Sequence, residues 1–245
     1  MPAVQTKIAQ YVTERLNREY KTDINIDQIA ITSFGVVKLK KVLIKDKHKD
    51  TLIYANRIHT TLLDLKRMTT GDLFFGDIRV NRLYLNMKTY KGEKDTNLDQ
   101  FIAAFDDGKP SSGKFLMKAN TVYLEDSHFL LTDENREVPK DVDFTKLNAR
   151  LSEFKIHGPD VTTEIEKMSF QDHRGLFVKN LESDFTYTKK QILLKKLDLM
   201  TNHSLFKGNV ALHYKREDFH DFNNKVQFDI RIGQASLSTN DIRYF

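Results

Sequence analysis

The 245-residue chain contains no cysteine and no tryptophan, only four prolines and ten glycines. Without cysteine there is no disulfide framework, no Cys-ligated zinc and no thiol nucleophile. The compartment stays open on that count, because a protein of an oxidising compartment can do without cysteine. Sparse proline and glycine beside 40% apolar and 30% charged residues exclude collagen-like and disordered chains. No run reaches the roughly 18 apolar residues of a membrane-spanning helix. The start, Met1-Pro2-Ala3-Val4-Gln5-Thr6, lacks the basic-then-apolar layout of a signal peptide, so the chain as it stands reads as soluble and unaddressed. Charge of one sign is scarce too: 39 Lys and Arg against 34 Asp and Glu leave +5, the balance of a solvated surface rather than of a nucleic-acid binder.

What the chain does have is periodicity. Val4, Ile8, Tyr11, Val12, Leu16 and Tyr20 recur at helical spacing, which predicts an amphipathic helix over residues 3–21. From residue 22 the period drops to two. Ile24/Ile26 and Ile29/Ile31 alternate with polar residues but swap parity across Asp27-Gln28, as Val37/Leu39 and Val42/Ile44 also do, which predicts a β-bulge or a short turn at each swap. Leu52, Tyr54, Ile58 and Leu62 share one parity, broken by Asn56 and Thr60. Ile78/Val80, Leu83/Leu85/Met87, Val122/Leu124, Leu197/Leu199 and Val226/Phe228/Ile230/Ile232 continue the pattern to the C-terminus. One helix interrupts it over residues 97–106, with Asn97 as the expected N-cap, Gln100 completing a capping box, and Leu98, Phe101, Ile102 and Phe105 as its stripe. The loop 107–114 follows, and residues 22–245 read as one continuous β-array.

Catalytic constellations are missing. Gly108-Lys109-Pro110-Ser111-Ser112-Gly113-Lys114 fits seven positions of a phosphate-cradling loop, but Phe115 stands where the metal-binding hydroxyl belongs, and a helix precedes the loop where a strand should. It reads as a flexible connector. His220, in Glu217-Asp218-Phe219-His220-Asp221, has no second histidine spaced to share a metal. No nucleophile elbow, zinc-binding His pair or dinucleotide-binding loop occurs, so the expectation is a protein without enzymatic activity, metal or cofactor.

About a dozen strands each with one apolar face, and two short helices to cover them, pose a burial problem. The sheet closes as a barrel, folds as a sandwich, or curls into a trough whose apolar interior holds a ligand.

Several segments resemble the region that follows the membrane anchor in TamB-like proteins of the AsmA group, Bacteroidota type: Pro2-x-x-Gln5 opening a helix, Ile24-x-Ile26, Asp50-Thr51-Leu52-Ile53-Tyr54-Ala55, Asn97-Leu98-Asp99-Gln100-Phe101-Ile102 with Phe105, and Leu194, Leu197, Leu199, Thr201, Ser204 and Leu205 running on to Gly208-x-Val210-x-Leu212-x-Tyr214. Ala235-x-Leu237-x-x-x-Asp241-Ile242 is similar to the segment after that strand pair. The resemblance covers nearly the whole chain through degenerate apolar patterns in a fixed order. It implies a long antiparallel sheet curled into an open trough (a β-taco), anchored in the inner membrane by a preceding helix, lying in the periplasm, and acting in outer-membrane biogenesis. It further implies transport of phospholipid, or assistance to outer-membrane protein assembly, with an Omp85-type barrel (TamA or TamL) as partner through regions beyond these residues. The candidate groove residues are then Ile78, Val80, Leu83, Leu85, Val122, Leu124, Leu197, Leu199, Val226, Phe228, Ile230 and Ile232, drawn from both parities.

Overall fold

The computed structural model describes residues 20–32, 35–63, 72–104, 116–138, 140–158, 160–188, 190–214 and 226–242, with Thr13, Glu14, Asn17 and Arg18. Strand makes up 72% of these residues. All of it belongs to one sheet whose spatial order is its chain order: β1 (Asp23–Ile31), β2 (Val36–Lys45), β3 (Thr51–Leu62), β4 (Leu73–Thr89), β5 (Leu116–Asp133), β6 (Lys140–His157), β7 (Asp160–Asp172), β8 (Phe177–Tyr187), β9 (Gln191–Thr201), β10 (Leu205–His213) and β11 (Gln227–Ser236). Two short helices accompany it, α1 (Asn97–Ala103) after β4 and α2 (Thr239–Ile242) after β11. The sheet is not closed into a barrel, which removes that alternative. Of the helix expected over residues 3–21, Thr13, Glu14, Asn17, Arg18 and Tyr20 are helical. Lys21 is described and lies outside the helix, while residues 3–12, 15, 16 and 19, residues 105–106 at the end of the second expected helix, the loop 107–114 and the stretch around His220 lie outside the described residues.

The sheet is antiparallel except at one place. β4 and β5 run parallel, with Val80 beside Leu124 and Thr89 beside Asp133, where uniform antiparallel pairing was expected. A parallel step needs a crossover and not a hairpin, and α1 lies within that crossover. Its N-cap is Thr96 rather than Asn97. The Thr96 hydroxyl accepts from the Asp99 amide while the Asp99 carboxylate accepts from the Thr96 amide, so Asp99, not Gln100, completes the box. Asn97 is free for another task, described below.

The parity swaps are not turns, and from β1 to β5 they are not slips of register either. Lys41, Arg82, Asp126, Lys146, Glu153 and Lys196 sit inside strands with φ between +47° and +51°. A left-handed residue in a strand reverses which way the following side chains face. From β1 to β5 the reversals fall level with one another, so pairing stays in step on either side: Ile26 opposes Val42 and Gln28 opposes Lys40, then Ala55 opposes Leu83 and Arg57 opposes Asn81. Polar side chains mark this crease. Lys41 pairs with Asp27 at 3.5 Å, Asn56 donates to Asn81 at 3.3 Å, and Arg82 pairs with Asp126 at 3.5 Å.

Beyond β5 the reversals do shift the register, at Leu124/Ser127 of β5, Ser152/Lys155 of β6 and Ile165/Met168 of β7. Leu52 and Tyr54 face away from Ile53 and Ala55, and Tyr54 opposes Tyr84, which contacts the His128 ring at 5.0 Å on the other face.

Hairpin turns at one end of the sheet share a device. Asp46 and Asp172, 6% and 2% exposed, each accept from the backbone amide two residues on, and Thr201 does the same through its hydroxyl. These turns close on themselves and leave their carboxylates available for cross-ties.

Candidate functional site

One face of the sheet is apolar from edge to edge. Following cross-strand partners from β1 to β11 gives Ile29, Leu39, Ile58, Val80, Leu124, Ala149, Met168, Leu181, Leu199, Phe206 and Ala235, with no polar residue in the row. With strands about 4.8 Å apart, the row follows roughly 48 Å of sheet. A second row runs from Leu73 of β4 through Met117, Ile156, Val161, Tyr187, Ile192 and Leu212 to Phe228 of β11.

The opposite face reads differently. There Lys38, His59, Arg79, Tyr123, Arg150 and Lys167 are successive partners, with the Arg79 guanidinium 4.0 Å above the Tyr123 ring.

The creases bring both parities of the predicted groove residues onto this one apolar face. Ile78 and Val80 are even and Leu83 and Leu85 odd, and Arg82 between them reverses the pleat. Ile78, Val80, Leu83, Val122, Leu124 and Leu199 belong to three hydrophobic clusters that merge through shared members Ile78, Leu124, Met168 and Leu181. Leu85 lies between Ile53 and Phe129, and Leu197 is 5% exposed opposite Gly208. Phe228, Ile230 and Ile232 oppose Leu212, Val210 and Gly208 on the same face. Val226 is buried but precedes β11 rather than belonging to it.

Sequence reading missed Leu151, Ile165, Phe185, Leu194 and Val210, which continue the same rows. Their alternation was visible in the sequence. Which parity faced the cluster was not.

Small polar residues on this face do not interrupt its apolar character. Thr163 donates to the Ser152 carbonyl at 2.7 Å and Ser183 to that of Lys195 at 2.8 Å. Each hydroxyl is turned into the ladder, and methyl, methylene and ring surface forms the face.

Exposure grades along it. Val122, Leu151 and Ile165 in the middle strands are 6–8% exposed, whereas Phe228, Ile230 and Ile232 in β11 are 50%, 51% and 62% exposed. A cleft of about 360 Å³ near that end lies between β9, β10 and β11. Asn209, Ala211, Asp229 and Arg231 line it, and these belong mostly to the polar face.

Tyr187, in the second apolar row, has its phenol pushed up by burial, and Lys196 inside β9 is raised by Asp184, but a cluster of displaced groups lies at the end of the sheet. Tyr90 donates between two carboxylates, 2.7 Å from Asp46 and 2.9 Å from Asp50, and burial together with those anions pushes its phenol well above the ordinary range. The same Asp46 accepts from the Asn97 side chain at 2.9 Å, and the Asn97 carboxamide also takes the Lys88 amide and gives to the Asn86 carbonyl. Asn97 therefore fastens α1 to the β2–β3 turn and the end of β4. The carboxylates of Asp46 and Asp50 are each engaged by neighbours, so the cluster acts as a structural clasp between these elements. Among the described residues no group of three or more His, Asp or Glu is placed to hold a metal ion, and no helix is long and apolar enough to cross a membrane.

No protein-family model matches the chain, and no curated protein matches it in sequence.

Proposed function

We propose that this chain is a segment of an inner-membrane-anchored protein of the periplasm whose sheet curls into an open trough and carries phospholipid acyl chains along its apolar face. The observation that carries this reading is the eleven-strand row from Ile29 to Ala235, unbroken by a polar residue in a sheet that does not close. An apolar face of that extent needs cover. Left-handed residues inside strands, at Lys41, Arg82, Asp126 and Lys146, are irregularities of the kind that bend a sheet, which supports the trough reading. Acyl chains supply cover where side chains do not, at about 0.8 kcal/mol per buried methylene. Lateral repetition of equivalent rows lets a chain move from one to the next with little change in energy. An outer-membrane barrel of the Omp85 type is the expected partner, through regions beyond these residues.

Native mass spectrometry and organic extraction of the purified protein test this. Co-purifying phospholipid, released when Val210→Asp and Leu194→Asp polarise the face, is the expected result. A lipid-free protein that takes up no phospholipid from vesicles of bacterial lipid would refute it.

A second reading, assistance to outer-membrane protein assembly by strand augmentation, is favoured by the exposed strand β11 at the end of the sheet. A photo-crosslinker at Gln227 should then trap β-barrel precursors, and lipid adducts alone would exclude it.

A further inference from the structure

The polar face of the sheet carries its charge in two unlike halves, and we infer that the half over β2, β3 and β4 docks on a bilayer surface rich in anionic phospholipid. Over β6 to β10 ion pairs cross the strands: Arg150 pairs with Glu166 at 2.7 Å, Lys196 with Asp184 at 3.0 Å and Lys207 with Asp198 at 2.6 Å. Over β2 to β4 the cations stand together instead. Lys38, His59 and Arg79 are successive cross-strand partners, and Lys40 opposes Arg57 in the row beside them. All five are exposed, and Lys38, Lys40, Arg57 and Arg79 have no ion-pair partner among the described residues. Their partners in β1, Ala30 and Gln28, are uncharged. Carboxylates flank the rows: Asp77 two residues before Arg79, and Glu125 one strand further on, opposite Asn81. A net charge of +5 over the whole chain conceals this segregation.

Like charges set side by side across strands repel one another. An extended anionic surface relieves that repulsion at every position together, whereas a single small anion reaches only adjacent cations. Further strands would lengthen the sheet sideways, beyond β1 or β11, and leave this face as it is. The rest of the face selects a bilayer over a polyanion in water. Across the crease from the basic rows, Leu43, Tyr54 and Tyr84 are successive partners on the same face. Tyrosine rings, with an apolar body and a polar tip, suit the headgroup level of a membrane, and lysine and arginine beside them suit its anionic lipids. A single nucleic-acid strand needs open aromatic faces on which bases stack, and the Tyr123 ring already holds the Arg79 guanidinium at 4.0 Å and that of Arg150 at 5.7 Å. The inference concerns the polar face alone and stands whether or not the apolar face carries lipid.

Flotation of the full chain with vesicles of phosphatidylglycerol and phosphatidylethanolamine tests this. Binding is expected, about tenfold weaker on phosphatidylcholine vesicles and about tenfold weaker when salt rises from roughly 50 to roughly 300 mM. Arg57→Glu combined with Arg79→Glu should cut partitioning by about tenfold or more, and Arg57→Gln with Arg79→Gln by an intermediate factor. Lys196→Glu with Lys207→Glu changes the net charge equally on the ion-paired half and should stay within about twofold of wild type. Val210→Asp with Leu194→Asp, on the apolar face, should also stay within about twofold, which separates this contact from lipid carriage. No flotation with anionic vesicles, equal binding to phosphatidylcholine, or equal loss in the Lys196 and Lys207 pair would each overturn the inference. Loss confined to the apolar-face variant would move the contact to the other face. Tighter binding to a single-stranded oligonucleotide than to the vesicles, abolished by the Arg57 and Arg79 reversals, would assign the patch to a soluble polyanion instead.

Discussion

The two edges of the sheet are built on opposite plans. At β1 the carboxamide of Asn17 behaves as a fragment of a neighbouring strand: its nitrogen donates to the Ile24 carbonyl at 2.8 Å and its oxygen accepts from the Ile24 amide at 2.7 Å. Ile24 and Ile29 are 8% and 4% exposed. β1 is thus capped at Ile24 by a residue outside the sheet, whereas β11 presents ten exposed residues. The tie-downs nearest each edge differ likewise. Asp46, Asp50, Tyr90 and Asn97 form a many-membered clasp across β2, β3, β4 and α1, while α2 is held by Thr201 donating to Asp241 and by the Ser238 amide donating to Ser204. A side-chain amide can thus stand in for the hydrogen-bonding groups of a neighbouring strand at one residue of an edge.

Gly208→Ala would cut deepest into this contrast. A Cβ there stands 2.1 Å from the Arg231 carbonyl oxygen, a backbone clash that side-chain motion cannot relieve. Loss of about 3 kcal/mol is expected, concentrated in the β10–β11 pairing. Hydrogen exchange should show β11 amides unprotected while β1 to β4 keep their protection. Uniform loss throughout the sheet would mean the edge is not an independent unit.

Asn17→Leu should uncap β1 at Ile24. It leaves the Ile24 amide and carbonyl without their partner, at about 1–3 kcal/mol. Faster exchange at Ile24, with a new tendency to self-associate, is the signature; unchanged exchange would show that Asn17 does not cap the strand there.

Tyr90→Phe removes the proton donor between Asp46 and Asp50 and should cost about 1–2 kcal/mol by thermal melting. It also tests the acid response. The Tyr90 hydrogen bond, opposed by partial burial and aided by Lys88, holds Asp50 below its ordinary value of 3.8. A carboxylate lowered on folding adds stability above its unfolded value, and that increment disappears as pH falls through the lower folded value. Wild-type protein should therefore lose stability more steeply than Tyr90→Phe as the medium is acidified below about pH 4. Parallel curves would sever the link.

Smallest are the crease substitutions. Arg82→Gly should change stability by no more than about 1 kcal/mol, because glycine adopts φ of +51° freely, while Arg82→Val should destabilise by about 1–2 kcal/mol at the same position. Equal melting temperatures for the two would mean the left-handed conformation is not retained in solution. Asp27→Asn, which removes an exposed ion pair with Lys41, should fall within about 0.5 kcal/mol.

Much of the strand content was legible because alternation is local: a half-buried strand must place apolar residues two apart, and the segments around Ile78, Val122, Leu197 and Ile230 do so. Each parity swap was legible too, as a charged residue such as Lys41 or Arg82 where an apolar one was due. That neighbouring swaps lie level across β1 to β5 was not legible, since it depends on which residues of separate strands stand opposite one another. The capping residue of α1 was misplaced by one because Thr96 and Asn97 are both good caps. Only the approach of Asp46 from the β2–β3 turn, distant in sequence, assigns the buried carboxamide elsewhere.

By itself the sequence determined a mainly strand architecture, the short internal helix that begins near Asn97 and a surplus of apolar faces, since these follow from spacing along the chain, whereas the helix Thr239–Ile242 was not foreseen. Tertiary structure alone decided that β4 and β5 run parallel, that the sheet stays unclosed, that Ile78 and Leu83 share a face despite opposite parity, and that Asn17 caps Ile24 in β1 while β11 is exposed. Those outcomes rest on contacts between residues tens of positions apart, where register and the direction of approach, not local periodicity, set the energy.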